Sequence, residues 1–361
     1  MKKLIPVLII FSILATSCSS MHEVDDFAYV IALGIDISED GNYIFTYSFA
    51  NSISIGGGGG EEGGGKSPEN SLLNITVPAK DVFEGINVLN TNISKIIEMS
   101  HLKLIVFSKA IAKNGLKNHL DDFVLDMSVR PRIMLAVSDV SPSEYLDNFK
   151  MSFEINPEKY LNDIFSDKSS PLVTKCTLFD FYNHTYLSSV VPLVTIDKSE
   201  EKSVISGICV FKKDKLKAVY TGYEAVYHNI LSGNLKNTNY VLSTGENTLV
   251  YEITQENKPK VSIDTSNKNP TINLEIPLDC IIKSRTSDNL NFKGLLEEDI
   301  IYKIKEYLHK SAKSLETDVM RYEKIAKKNF LSIDKFNKYN WEEIYKKASF
   351  NINVIAYIQT D

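Results

Sequence analysis

The chain has 361 residues, 43% hydrophobic and 24% charged, with a formal net charge of −6. That length indicates more than one domain, and that composition indicates ordinary globular material rather than a fibrous or disordered chain. A mildly acidic body argues against nucleic acid, or a polybasic grip on a membrane, as the main task.

Met1-Lys2-Lys3 gives a short positive start, and residues 4–15 (LIPVLIIFSILA) are uncharged and apolar. The apolar run is shorter than the roughly 20 residues that span a bilayer. With the small residues Ala15-Thr16-Ser17 after it, it reads as a secretory signal. Cys18 stands directly behind the expected cut, where bacterial lipoproteins carry a lipidated cysteine. The reading is a signal peptide over 1–17 and lipid attachment at Cys18, with the mature chain on the outer face of a membrane. The remaining cysteines, Cys176, Cys209 and Cys280, are odd in number and widely spaced. They form no disulfide framework or zinc pattern; a Cys176–Cys280 or Cys209–Cys280 bridge stays open.

Residues 27–36 (FAYVIALGID) and 42–51 (NYIFTYSFAN) read as two strands around an Asp/Gly turn, a hairpin signal. Tyr43, Phe45, Tyr47 and Phe49 alternate onto one face. Residues 56–65 (GGGGGEEGGG) form a low-complexity stretch, read as a flexible loop. A returning strand is expected at 71–77 and a helix over 81–97, from apolar residues at helical spacing. A strand at 101–107, a helix over 108–126, a strand at 131–137 and a helix at 143–149 follow. Prolines 157, 171 and 192 obscure the pattern from 150 to 200.

The polar stretch 199–203 divides the body into 18–200 and 201–361, with a further division expected near 255–295. Residues 204–211 and 216–223 flank Lys212-Lys213-Asp214-Lys215 as a hairpin. A helix is expected over 224–235 and strands at 249–254, 260–264 and 271–278. Residues 297–329 read as one long helix with an apolar stripe from Ile300 through Ile304 and Leu308 to Ala326. The chain ends in an alternating strand over 350–358. A long helix flanked by antiparallel strands points to an α+β fold. The whole is read as multi-domain α+β, about three such domains, with antiparallel and mixed sheets packed against helices.

Chemistry is sparse in this pattern. Residues 60–67 (GEEGGGKS) match the P-loop spacing. However, Pro68 and a strand-like run follow where a helix must begin, and Glu61 and Glu62 would repel phosphate. The histidines at 22, 101, 119, 184, 228 and 309 lack ligand spacing. His101 as a base and Glu23, Asp25 and Asp26 as a metal cluster are the weaker readings; a capping or core histidine and a solvated segment are the stronger. No catalytic set, cofactor or metal site is read, which points to a scaffold or interaction protein rather than an enzyme.

Several stretches together resemble the Ger(x)C family of spore germination lipoproteins, the C subunits of nutrient germinant receptors. They are 23–36 (EVDDFAYVIALGID), the Gly-rich loop after the second strand, 100–108 (SHLKLIVFS) and 112–116 (AKNGL). Others are 129–132 (VRPR), 205–216 (ISGICVFKKDKL) and the end, from Asp318 through Asn340-Trp341-Glu342-Glu343 to the last strand. Ser19-Ser20-Met21 departs from the family, which usually has Trp shortly after the lipid cysteine, and the helix after Asp318 lacks an expected glycine. The resemblance implies three α+β domains and a place on the outer surface of the spore inner membrane. It further implies work beside A-type and B-type membrane subunits in nutrient-triggered germination. The alternative is a solute-binding lipoprotein of an importer, which the antiparallel run from 204 to 278 opposes.

Overall fold

The computed structural model describes residues 26–50, 72–125, 129–150, 156–166, 170–185, 187–245, 247–285 and 291–359. Cys18, the 23–25 acidic segment and the 56–65 loop lie outside them.

The N-terminal hairpin forms as its alternation requires. β1 (Phe27–Ile37) and β2 (Tyr43–Ala50) pair antiparallel, and Gly41 takes the left-handed turn conformation at φ 82°. β3 (Leu72–Ala79) extends this sheet beyond β2. Helix α1 (Val82–Leu89) begins at an Asp81 cap whose carboxylate accepts the Phe83 and Glu84 N–H groups. The helix expected to reach 97 stops at Leu89. The Asn90-Thr91-Asn92 turn ends it, and Ile96–Glu98 becomes a short strand, β4, parallel to the start of β1.

β5 (Leu104–Ser108) and β6 (Met134–Ser138) continue the sheet in parallel. Both are buried along their whole length. Coverage on both faces explains why such strands read as unbroken apolar runs. Between them the helix expected over 108–126 is two helices, α2 (Lys109–Asn114) and α3 (Lys117–Leu125). Gly115 separates them at φ 125°, a conformation a side chain would resist. Helices α4 (Pro142–Asp147), α5 (Pro157–Ile164) and α6 (Leu178–Asn183) follow, each with proline at its start or a Thr177 capping box.

β7 (Ser188–Asp197), β8 (Lys202–Lys212) and β9 (Lys215–Thr221) close a nine-stranded mixed sheet ordered β3-β2-β1-β5-β6-β7-β8-β9, with β4 beside β1. The polar stretch near 200 is the turn joining β7 to β8, so the strands on its two sides share one sheet.

Helix α7 (Tyr223–Ser232) leads into a five-stranded sheet built from β10 (Thr238–Thr244), β11 (Asn247–Thr254), β12 (Lys260–Asp264), β13 (Thr271–Arg285) and β14 (Ser349–Gln359). Residues 255–295, where a further division is expected, hold β12 and β13 inside this sheet. β11 and β12 share one edge of β13, while β14 runs parallel along the other. That parallel pairing differs from the antiparallel arrangement expected around the long helix.

The long helix itself is α8 (Phe292–His309), ending in a π turn over Lys310–Ser314. It does not reach 329, because Glu316 (φ 48°) and Arg321 (φ 56°) turn left-handed and break the helical path. The rest of the segment is α9 (Glu323–Ala326), a 3-10 turn (Lys327–Asn329), α10 (Ile333–Tyr339) and α11 (Trp341–Tyr345). α8 buries Leu296, Ile300, Ile304 and Leu308 at four-residue spacing. Each such side chain contributes roughly 1.5–3 kcal/mol.

Three hydrophobic cores result. Two cover opposite faces of the large sheet, one around Phe45, Phe107 and Phe181, the other around Tyr145, Leu146 and Phe165. The third joins Val190, Ile208, Val210 and Tyr220 of β7–β9 to α7, α8 and the second sheet. The protein is thus α+β and multi-domain, with mixed sheets, as its sequence indicates.

Candidate functional site

The two sheets are tied together around the turn that ends the long helix. Asp318 sits at its centre. Its carboxylate Oδ2 accepts the indole N–H of Trp341 at 2.9 Å and the Glu323 backbone N–H at 2.8 Å. Its Oδ1 is buried with no hydrogen-bond partner among the described residues. Burial raises the Asp318 carboxyl to about 6, against the lowering effect of those hydrogen bonds. The Ser188 hydroxyl of β7 donates to the Asp318 carbonyl.

Lys212 of β8 strengthens the tie. Its ammonium donates to the Glu316 carbonyl at 3.0 Å and pairs with Glu342 at 2.8 Å. Lys346 holds the Glu316 carboxylate at 2.9 Å. Inside, the Ser311 hydroxyl donates to the Thr317 carbonyl at 2.6 Å and lies 3.0 Å from the Tyr345 hydroxyl. Residues from β7, β8, α11 and the π turn after α8 therefore converge on one eight-residue stretch, 316–323.

Beside this tie a cleft of ≈520 Å³ opens between the two halves. The segment before α6 and the start of β7 form one wall, the end of α7 and residues 319–325 the other. His184 stands at its edge. Its Nδ1 lies 2.5 Å from the Asp180 carbonyl and its Nε2 2.8 Å from the Lys324 ammonium. Together those contacts require a neutral ring that donates from Nδ1 and accepts at Nε2. Burial lowers its basicity, as does the charge of Arg321.

The residues singled out in the sequence do not assemble into a catalytic set. His101 pairs with Glu158 at 2.5 Å and sets its ring at a tilt against Tyr29, with Lys103 on the other Glu158 oxygen at 2.9 Å. It thus serves as a surface clamp between α5 and the segment leading into β5. His228 is buried against the Tyr307 hydroxyl at 2.9 Å. Cys176, Cys209 and Cys280 are buried free thiols, which settles the open pairing among them. Among the described residues, no group of three His, Cys, Asp or Glu is placed to hold a metal ion. Cys18 and the P-loop-like residues 60–67 lie outside the described residues. The Asp318–Trp341 contact joins residues 23 positions apart. Its only signal in the sequence was that both lie in one resembling segment.

Comparison with known proteins gives consistent matches. A family model for the spore germination protein N-terminal domain matches residues 20–196. A second, for the spore germination B3/GerAC-like C-terminal region, matches 206–361. The two meet across the β7–β8 turn. The spore germination protein GerQC of Bacillus cereus is 23% identical over 359 residues, covering 95% of this chain and 94% of its own. The spore germination protein KC of Bacillus subtilis (strain 168) is 22% identical over 197 residues, 54% of this chain and 48% of that one. Among solved structures, the GerBC protein superposes with a TM-score of 0.59 at 16% identity, covering 91% of this chain and 97% of that one. At that identity the likeness establishes the fold.

Proposed function

Because the chain belongs to the Ger(x)C family of spore germination proteins, we propose that it is the lipid-anchored C subunit of a nutrient germinant receptor. In this reading the leader is cut before Cys18, and that cysteine carries the lipid. The folded body then stands on the outer face of the spore inner membrane, beside A-type and B-type membrane subunits. It acts by assembly with them rather than by catalysis.

The observation that carries this reading is the end-to-end match of both family models, 20–196 and 206–361. The leader supports the anchor: a basic start, an apolar run too short to span a bilayer, and a cysteine right behind it. Among the described residues, no helix is long and apolar enough to cross a membrane. A diacyl anchor at Cys18 supplies attachment without one, since two chains hold stably where one does not.

Two measurements test it. Radiolabelled palmitate should enter the wild-type chain and be absent from Cys18→Ala, which should also leave the membrane fraction. Affinity capture of the wild-type chain from spore membranes should recover both membrane subunits. A Cys18→Ala chain that still takes label would refute the anchor. Deletion spores that germinate normally on every nutrient tested would refute the receptor role.

A further inference from the structure

The cleft between the two halves has a charge its surroundings do not share. The chain as a whole is acidic, at −6. Lys175, Lys258, Arg321 and Lys324 line the cleft, against Asp180 as its one carboxylate among the described residues. Asp180 is already engaged: its Oδ2 accepts the Thr177 hydroxyl at 2.7 Å within the cap of α6. Arg321 has no ion-pair partner among the described residues, and neither has Lys258. Lys324 spends its contact on the neutral imidazole of His184, at 2.8 Å.

The arrangement is held in place. Arg321 has a left-handed backbone, φ 56°, which costs free energy in a non-glycine residue. Its N–H bonds to the Asp318 carbonyl at 3.1 Å, and its own carbonyl accepts the Lys324 N–H at 3.1 Å. One tight turn therefore presents both cations to the same cavity. Across from them, Ser189 is 6% exposed and lines the cleft. Its hydroxyl oxygen is buried without a hydrogen-bond partner among the described residues. That oxygen is closed off from the cleft, so a ligand there would meet the cations first.

The cations also disfavour one another. Burial, and after it the charge of Arg321, lowers the basicity of Lys324 and of His228 behind it. Bound negative charge would relieve that repulsion.

We propose that this cleft binds a small oxyanion carrying at least two negative charges, held by Arg321 and Lys324, with Lys258 at its mouth. Phosphate and polycarboxylate share this chemistry. A planar guanidinium beside an ammonium suits either, the first by paired hydrogen bonds and the second by charge. The site stands independently of the anchor at Cys18.

Titration calorimetry on the full chain tests it, with inorganic phosphate and citrate as separate probes and ionic strength held constant with sodium chloride. Saturable binding of at least one probe is expected. Arg321→Gln and Lys324→Gln should each weaken it by about tenfold or more, as the loss of one charge-assisted hydrogen bond implies. Lys335→Gln, on an exposed position outside the cleft, should bind as the wild type does. Should Arg321→Gln fail to fold, Lys258→Gln, at an exposed residue, should still weaken binding by severalfold. Binding of phosphate alone would identify a phosphoryl ligand, and binding of citrate alone a carboxylate. No saturable heat with either probe would overturn the proposal. So would equal affinity in wild type, Lys258→Gln and Lys324→Gln.

Discussion

Asp318 should make this protein's stability fall as the solution is brought from mildly acidic to neutral. The folded chain encloses the carboxyl, leaves Oδ1 without a hydrogen-bond partner among the described residues, and raises its pKa from 3.8 to about 6. Between those values the folded state keeps a proton that the unfolded chain has released. Stability therefore declines as pH rises through that window, and the loss is complete above about 6. The rise corresponds to roughly 3 kcal/mol, an upper bound because the folded chain relaxes around the charge. Trp341 is the only tryptophan and donates directly to Asp318, so its fluorescence reports the titration. Wild type should show a fluorescence transition centred near pH 6 that Asp318→Asn lacks. In urea denaturation, the stability of wild type relative to Asp318→Asn should drop by up to about 3 kcal/mol between pH 4 and pH 7. Parallel stability profiles for the two proteins, or flat wild-type fluorescence through this range, would refute the reasoning.

Two further outcomes follow from burial and close packing. Burial pushes the thiols of Cys176, Cys209 and Cys280 up to about 12, so a disulfide reagent at pH 8 should modify none of them until urea unfolds the chain; fast reaction in the native state would contradict their placement. In β8, a Cβ on Gly207 would stand 2.0 Å from the Tyr220 carbonyl oxygen, so Gly207→Ala should lose about 3 kcal/mol or more in the same denaturation assay, and wild-type stability would mean that β9 can move aside.

How much could be read beforehand depended on how local each signal was. The hairpin of β1 and β2 was legible because Phe45, Tyr47 and Phe49 alternate into one core. β10 is hard to read because Thr238 shares its buried face with Tyr240 and Leu242, while Asn239 and Ser243 flank the exposed Val241 on the other. β7 was obscured by Pro192, which the sheet accommodates opposite Ile208. The error over 297–329 has a physical cause. Leu315, Val319, Ile325 and Ala326 keep a roughly helical spacing, and they do pack into the core. They reach it from a turn built on Glu316 and Arg321, and nothing in their spacing distinguishes the two routes. The cleft was illegible for a different reason. Its walls come from residues 174 through 325, and only the docking of the second sheet against β7–β9 brings them together.

The same turn that defeated the helical reading links the tie to the cleft. Residues 316–324 supply Asp318 to the Trp341 hydrogen bond and Arg321 and Lys324 to the cavity. If that turn positions the cations, a change on the far side of it should be felt in the cleft. Trp341→Phe tests this, because Trp341 is 4% exposed and does not line the cleft. Phenylalanine keeps most of the packing against Tyr345 and removes the indole N–H. Losing that bond to Asp318 should cost about 1–3 kcal/mol of stability. It should also weaken phosphate or citrate binding by severalfold, although no atom touching the anion has changed. If Trp341→Phe loses stability but binds either probe with wild-type affinity, the turn is a strut alone. Arg321 and Lys324 would then be held by the walls of the cleft itself.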